Sequence, residues 1–249
     1  MTICRFLLAA AATLLVAQGA AEPPPRIAII IDDLGYQLEA GRRAIELPGP
    51  LAFAVLPGTP SGQRLARIAH EHGKEVLLHL PLEAVDHKGG MEPGAMMLDM
   101  SRATFRTTFA NAIATVPFAV GVSSHRGSLL TRHPGHMGWL MAEIGSREDL
   151  FFIDSYTTHE SVALQVAAEV GVIATKRDVF LDHEQTVDAV AREFKRLKKM
   201  ARKRGTAVAI GHPFPETLEV LERELPKLRQ EGFELVTISE LIAMQLNRI

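Results

Sequence analysis

Arg26-Ile27-Ala28-Ile29-Ile30-Ile31-Asp32-Asp33-Leu34-Gly35 is the stretch from which the fold can be read. Its apolar part is uninterrupted and rich in β-branched residues, the pattern of a strand buried on both faces of a parallel sheet. It ends at two adjacent carboxylates. Burying like charges side by side costs several kcal/mol unless a cation, an arginine or a shared proton stands between them. Folds built of βα units keep their chemistry at the carboxyl ends of the strands, so a divalent metal beside Asp32 and Asp33 meets the electrostatic demand. Neighbouring side chains of a regular strand point to opposite sides, so one metal is not expected to take both aspartates in the same way.

Further apolar runs follow at Leu51 to Leu56, Glu75 to Leu78, Phe118 to Ser123, Leu150 to Ile153, Gly171 to Thr175, Thr206 to Ile210 and Phe233 to Ile238. Between them, Gly62 to His72, Arg102 to Thr115, Ser161 to Val170, Glu184 to Lys203 and Thr217 to Gln230 carry apolar residues at helical spacing. Such alternation predicts repeated βα units around a parallel sheet, close to a full barrel. Right-handed crossovers place every strand's carboxyl end on one rim. Just past these runs stand Asp32 and Asp33, His79, His125, Asp154 and His212. A lone histidine after a strand is commonly a hydrogen-bonded structural residue, whereas five coincidences at one rim point to a shared site.

Composition narrows the function. A formal charge of -2 and 6% aromatic residues give no footprint for nucleic acid. The basic stretch Lys195 to Arg204 has Leu197, Met200 and Ala201 as an inner stripe, which predicts a solvated helix face. At the start, Arg5 precedes an apolar stretch from Phe6 to Ala17 and the small residues Gly19, Ala20 and Ala21. Residues 1–21 therefore read as a secretory signal peptide, 22–26 as a Pro-rich linker and 27–249 as one domain. The chain is expected to be exported to the periplasm or secreted, without a stable membrane span after cleavage; an uncleaved N-terminal anchor is the alternative. Cys4 would leave with the leader, so no disulfide is expected.

The motifs Ile30-Ile31-Asp32-Asp33-Leu34-Gly35, His79-Leu80-Pro81-Leu82-Glu83, Gly121-Val122-Ser123-Ser124-His125-Arg126-Gly127-Ser128, Phe152-Ile153-Asp154-Ser155 and Ile210-Gly211-His212-Pro213 span nearly the whole domain in order. Together they resemble the polysaccharide deacetylase (NodB-like) superfamily, in its divergent branch of secreted proteins. The resemblance implies a single distorted (β/α) barrel of seven to eight parallel strands, removing acetyl groups from sugars with one divalent metal, usually zinc. It makes Asp32 the general base and His212 the general acid, with Asp33, His79 and His125 around the metal. The chain departs from the family's His-x-x-x-His pattern, since Glu83 stands four residues after His79. Glu83 is expected as an extra ligand or a supporting partner. Asp154 and Ser128 are expected to orient a neighbour or bind substrate. Arg177 and Asp178, beyond the sixth run, and Asp182 are further rim candidates, with surface salt bridging as the rival account.

The implied partner is an acetylated glycan or oligosaccharide. Two other readings stand beside it: another metal-dependent amidase or esterase on the same barrel, and a non-catalytic envelope protein that binds metal or glycan. The stretch Ala84 to Met100, with Met91, Met96 and Met97, is expected to be either a lid or a packed connector. Trp139 is expected in the core.

Overall fold

The computed structural model describes residues 23–86, 90–147 and 150–246. The expected leader, residues 1–21, lies outside the described residues. The described residues form nine strands: β1 (Arg26–Leu34), β2 (Ala52–Val55), β3 (Glu75–Leu82), β4 (Ala119–Arg126), β5 (Phe151–Asp154), β6 (Ala174–Lys176), β7 (Val179–Phe180), β8 (Thr206–Gly211) and β9 (Glu234–Leu235). The helices are α1 (Leu38–Ile45), α2 (Gly62–Glu71), α3 (Arg102–Ala114), α4 (Pro134–Gly145), α5 (Ala163–Glu169), α6 (Val187–Arg204), α7 (Pro215–Glu224) and α8 (Ile238–Leu246).

Every ladder is parallel, in the order β6-β5-β4-β3-β2-β1-β8-β7, and β9 pairs with the start of β1. Among the described residues β6 and β7 share no ladder, so the sheet curls into a distorted (β/α) barrel left open at that seam. Each of the eight apolar runs supplies a strand. The two-residue β7 was not legible, being too short to carry a period.

Alternation along the strands divides the core in two. Ile27, Ile29, Ile31, Phe53, Val55 and Leu78 face outward and pack with helical residues such as Leu65, Phe105, Phe109, Leu140, Phe194 and Leu197. Ala28, Ile30, Ala52, Ala54, Leu77, Ile153, Val208 and Ile210 face inward and meet Ile238, Leu241 and Ile242 of α8. The last run, Phe233 to Ile238, reads as one strand in the sequence, but only Glu234 and Leu235 join the ladder and Ile238 opens this helix. Apolar burial of the α8 face, worth about 1.5–3 kcal/mol per large side chain, outweighs the β propensity of Ile238.

The position of α8 is fixed at both ends. The Glu75 carboxylate, at the first residue of β3, accepts the N–H groups of Ile238 (2.8 Å) and Ser239. Thr175 donates to the Gln245 side-chain carbonyl at 3.0 Å, and Gln245 in turn reaches Thr206 at 3.5 Å. Helix α8 thus floors the amino-terminal mouth of the barrel and ties β6 to β8 across the seam.

Strands β1, β3 and β4 run further than their apolar cores suggest. His79 and His125 lie within ladders rather than beyond them, paired in register with Ser123 and Pro81. Hydrophobicity stops where the barrel interior turns polar, while backbone pairing continues. The basic stretch is the second half of α6, with Leu197 and Ala201 buried as expected, capped by Thr186 and ended by Gly205 at φ 80. Trp139 packs partly buried against the core, in ring contact with Phe105 and His136. No described helix is long and apolar enough to cross a membrane.

Candidate metal and acid-base site

The inward rows that fill the barrel with Ala28, Ile30 and Leu77 continue to Asp32 and His79 at the opposite end, both 2% exposed. Asp33 would point away if β1 stayed regular. It does not: Asp33 adopts φ 61, and the pairing with β2 shifts register between Ile31 and Leu34. This bulge corrects the expectation that the two aspartates face opposite sides. A left-handed residue re-aims the chain, a conformation that aspartate tolerates better than most side chains.

As a result Asp33 Oδ1 lies 2.9 Å from His125 Nδ1 and 3.2 Å from His79 Nε2, and the two nitrogens are 3.1 Å apart. Asp32 Oδ2 is 3.5 Å from the same His79 nitrogen. Asp33, His79 and His125 form a group able to hold a metal ion. Their spacing approaches the edge of a tetrahedron with bonds of 2.0–2.1 Å, about 3.4 Å. Asp33 Oδ1 is buried without a well-formed hydrogen bond, and so is Asp32 Oδ1. Two imidazole nitrogens and a carboxylate, crowded and incompletely satisfied, fit a divalent cation and leave an open coordination position.

Both histidines have a polar group behind the ring, a hydrogen-bonded hydroxyl for His79 and a close carboxylate for His125. His79 Nδ1 lies 2.6 Å from Ser123 Oγ, which leaves its Nε2 lone pair facing Asp33 when Nδ1 carries the hydrogen. His125 Nε2 lies 3.3 Å from Glu92 Oε1, and Arg126 Nη2 holds the same oxygen at 3.0 Å. Glu92 was not singled out from the sequence. It comes from the loop after β3, where no periodicity or spacing ties a carboxylate to a histidine more than thirty positions later.

The opposite wall carries His212, whose Nε2 is 3.6 Å from Asp33 Oδ2. Its Nδ1 is 3.0 Å from Asp182 Oδ1, its backbone N–H donates to Asp182 Oδ2 at 2.6 Å, and Thr217 donates to that oxygen at 2.7 Å. Asp182 is 3% exposed, which removes surface salt bridging as its account.

Electrostatics separates the groups. Burial pushes the Asp32 carboxyl above its ordinary range, against the pull of His79 and His212. Burial also opposes ionisation of Asp33, but contacts with His125 and His79 overcome it and hold that carboxyl far below the usual range. For His212, burial favours the neutral ring, yet Asp182 outweighs it and raises the pKa to about 9. His125 is likewise raised against burial by Asp33. A bound cation would reverse that last effect, since a ligating imidazole must be neutral.

Other expected site residues go elsewhere. Glu83 is directed to the Leu98 N–H at 2.7 Å and is not among the converging ligands. Ser128 accepts from Val85 N at 3.1 Å. These two residues pin the loop: Met96 is fully buried in the core, while Glu92 enters the site, so the segment combines a packed connector with a functional arm. Asp154 accepts from Tyr156 N (2.8 Å) and Ser161 Oγ (2.7 Å), shaping the turn after β5. Asp178 pairs with Arg204. Arg177 donates to the carbonyls of Ser155 (2.7 Å) and Tyr156 (3.0 Å) and lies within the field of Asp32.

A (β/α) barrel with this rim defines the class, and the match is specific: the chain belongs to the divergent polysaccharide deacetylase family, whose model covers residues 29–242. It is 35% identical over 217 residues to the uncharacterized protein YibQ of Escherichia coli K12, covering 87% of this chain and 67% of that one. An uncharacterized protein of Haemophilus influenzae is 36% identical over 216 residues, covering 87% and 76%. Among solved structures, the uncharacterized protein ATU2773 from Agrobacterium tumefaciens C58 superposes with a TM-score of 0.83 at 24% identity, over 90% of this chain and 91% of that one. A T48 deacetylase with substrate gives 0.55 at 14% identity, over 88% and 92%. At these identities the structural likenesses show the fold.

Proposed function

We propose that this chain is an exported, periplasmic or secreted, metal-dependent hydrolase that removes acetyl groups from a carbohydrate, with a cell-envelope glycan as substrate. The observation that carries this reading is the convergence of Asp33, His79 and His125 on one point between buried Asp32 and the His212–Asp182 pair. Zinc suits the donor set of two imidazoles and a carboxylate. When bound, it supplies polarisation of the acyl carbonyl and lowers the pKa of its water towards about 7.

The chain's own groups do the proton work. Asp32 accepts the proton of the attacking water; burial raises its basicity, and the protonated His212 opposes that rise, as a cation held by Asp33, His79 and His125 would. His212, held protonated at neutral pH by Asp182, donates from Nε2 to the departing sugar nitrogen or oxygen as acetate leaves. Asp33 is so strongly stabilised as an anion that it suits a ligand rather than a base.

The experiment is metal analysis of the purified chain combined with acetate release from a panel of acetylated glycans, repeated on Asp32→Asn. About one equivalent of zinc, turnover by the native protein, and loss of turnover with zinc retained in the variant are expected. Metal without acetate release would instead favour the non-catalytic binding role. One observation speaks for that second reading: Glu83 replaces a ligand of the wider superfamily and is turned away to Leu98. One of the structural neighbours, a mutant described as a CE4 family pseudoenzyme with restored enzymatic activity, aligns with a TM-score of 0.50.

A further inference from the structure

A cavity of about 590 Å³ opens at the unpaired seam between β6 and β7, lined by Tyr156, Lys176, Arg177 and Phe180 on the barrel side and by α6 on the other. It adjoins the site described above. The Phe180 ring lies 5.5 Å from the ring of His212 on one side and 4.8 Å from the Arg177 guanidinium on the other.

Charge in this cavity is unbalanced. Four Lys and Arg side chains line it against two carboxylates, and both carboxylates are already taken, Asp178 by Arg204 at 2.8 Å and Glu193 by Arg196 at 2.9 Å. Lys176 and Arg177 remain. Among the described residues neither forms a salt bridge: Lys176 Nζ rests 3.9 Å from the centre of the Tyr156 ring, and Arg177 is spent on two backbone carbonyls. The supporting turn is rigidly made. Tyr156 holds φ 52, its N–H goes to Asp154 and its carbonyl to Arg177. Residues outside ordinary backbone regions persist where surrounding structure fixes them, and they cluster at ligand sites. Asp154 acts on both cations and Asp32 on Arg177, but neither carboxylate pairs with them; two adjacent cations with no salt-bridged carboxylate, set in a fixed frame beside a proton donor, are complementary to an anion.

We infer that the seam cavity is a subsite for a carboxylate on the sugar next to the acetylated one, making the substrate an acidic glycan. This deepens the proposed hydrolase reading and rests on it for the placement of the acetyl group. Lys176 supplies the point charge, Tyr156 a face for the sugar ring, and Arg177 a second, fixed positive charge.

The test measures binding of a hyaluronan tetrasaccharide, which carries glucuronate and N-acetyl groups, and of its carboxyl-reduced counterpart, to the intact chain by calorimetry. The acidic form is expected to bind about tenfold more tightly at low salt, an advantage that shrinks at 0.5 M salt, is lost in Lys176→Ala and is kept in Lys176→Arg. Equal binding of the two forms, no binding of either, or a preference that survives Lys176→Ala overturns the inference. Acetate release from the same compounds separates the two claims. Binding preference without release would sink the hydrolase reading and leave the subsite standing, whereas release from both without a binding preference would do the reverse.

Discussion

Substituting Asp182→Asn tests the acid half of the site, because the change keeps shape and removes only charge and one acceptor. One amide oxygen can still take the N–H of His212 and the hydroxyl of Thr217, the two donors that share Asp182 Oδ2. The amide NH₂ must then face His212 Nδ1, where Asp182 Oδ1 now lies at 3.0 Å. A donor there forces Nδ1 to accept, so the ring is held neutral with its hydrogen on Nε2. In the native protein the His212 pKa is raised from 6.5 to about 9. A folded-state value above the unfolded one stabilises the fold fully below pH 6.5, and that contribution is lost as pH rises through about 9. At about 1.36 kcal/mol per pH unit, the gap amounts to about 3 kcal/mol. Urea unfolding of metal-free native and Asp182→Asn proteins should therefore show a destabilisation about 3 kcal/mol larger at pH 6 than at pH 9.5. The His212 imidazole, followed by NMR, should titrate below 6.5 in the variant, and acetate release should fall by about 10²–10⁴. A destabilisation independent of pH, or a His212 titration left near 9, would refute the coupling on which the acid role depends.

Two further outcomes follow from the same geometry. Glu92→Gln should weaken zinc binding by about 10–100-fold, measured by competition with a chelator, because the carboxylate that sets the His125 ring is lost while the ligand itself remains; unchanged affinity would mean that Glu92 merely packs. Leu241→Ala, in the α8 floor and fully buried, should cost about 2–5 kcal/mol in urea unfolding while leaving the zinc content at about one equivalent, since the floor lies at the opposite end of the strands from the ligands.

What the sequence disclosed and what it hid differ in physical kind. Strands such as Ile27 to Ile31 were legible because burial on both faces leaves a continuous apolar run, and α6 because its buried stripe repeats at helical spacing. Asp32, Asp33, His79, His125 and His212 could be collected because a parallel barrel brings strand ends to one rim. Asp182 was visible as a rim candidate, but its burial and its grip on His212 depend on β7, a strand of two residues. Glu92 was invisible because its place depends on Met96 entering the core and Glu83 catching Leu98, contacts made by a loop without a period. The strand ends were misjudged for a related reason: the polar inward residues His79, Ser123 and His125 break the hydrophobic pattern without breaking the backbone ladder.

The bulge at Asp33 explains why the regular part of the barrel and its reactive end need each other. Three non-glycine residues with positive φ, Asp33, Arg126 and Tyr156, lie at or just beyond the carboxyl ends of β1, β4 and β5; the fourth, Phe118, lies at the entry to β4. Such conformations cost about 1–3 kcal/mol each and survive only where neighbouring structure over-determines them. Here that support is visible. Ile27, Ile29 and Ile31 lock β1 into the outer core, Ala28 and Ile30 lock it into the inner one, and α8 seals the far end, so the last residues of the strand have little freedom to relax. Regular pairing would have kept β1 unstrained and sent Asp33 away from His79 and His125. The strained turn instead sets a second carboxylate beside Asp32, and the repulsion between them is what a bound cation relieves. Stability stored in an apolar barrel is thereby used at one rim, where geometry that is unfavourable for folding is the geometry that can hold a metal.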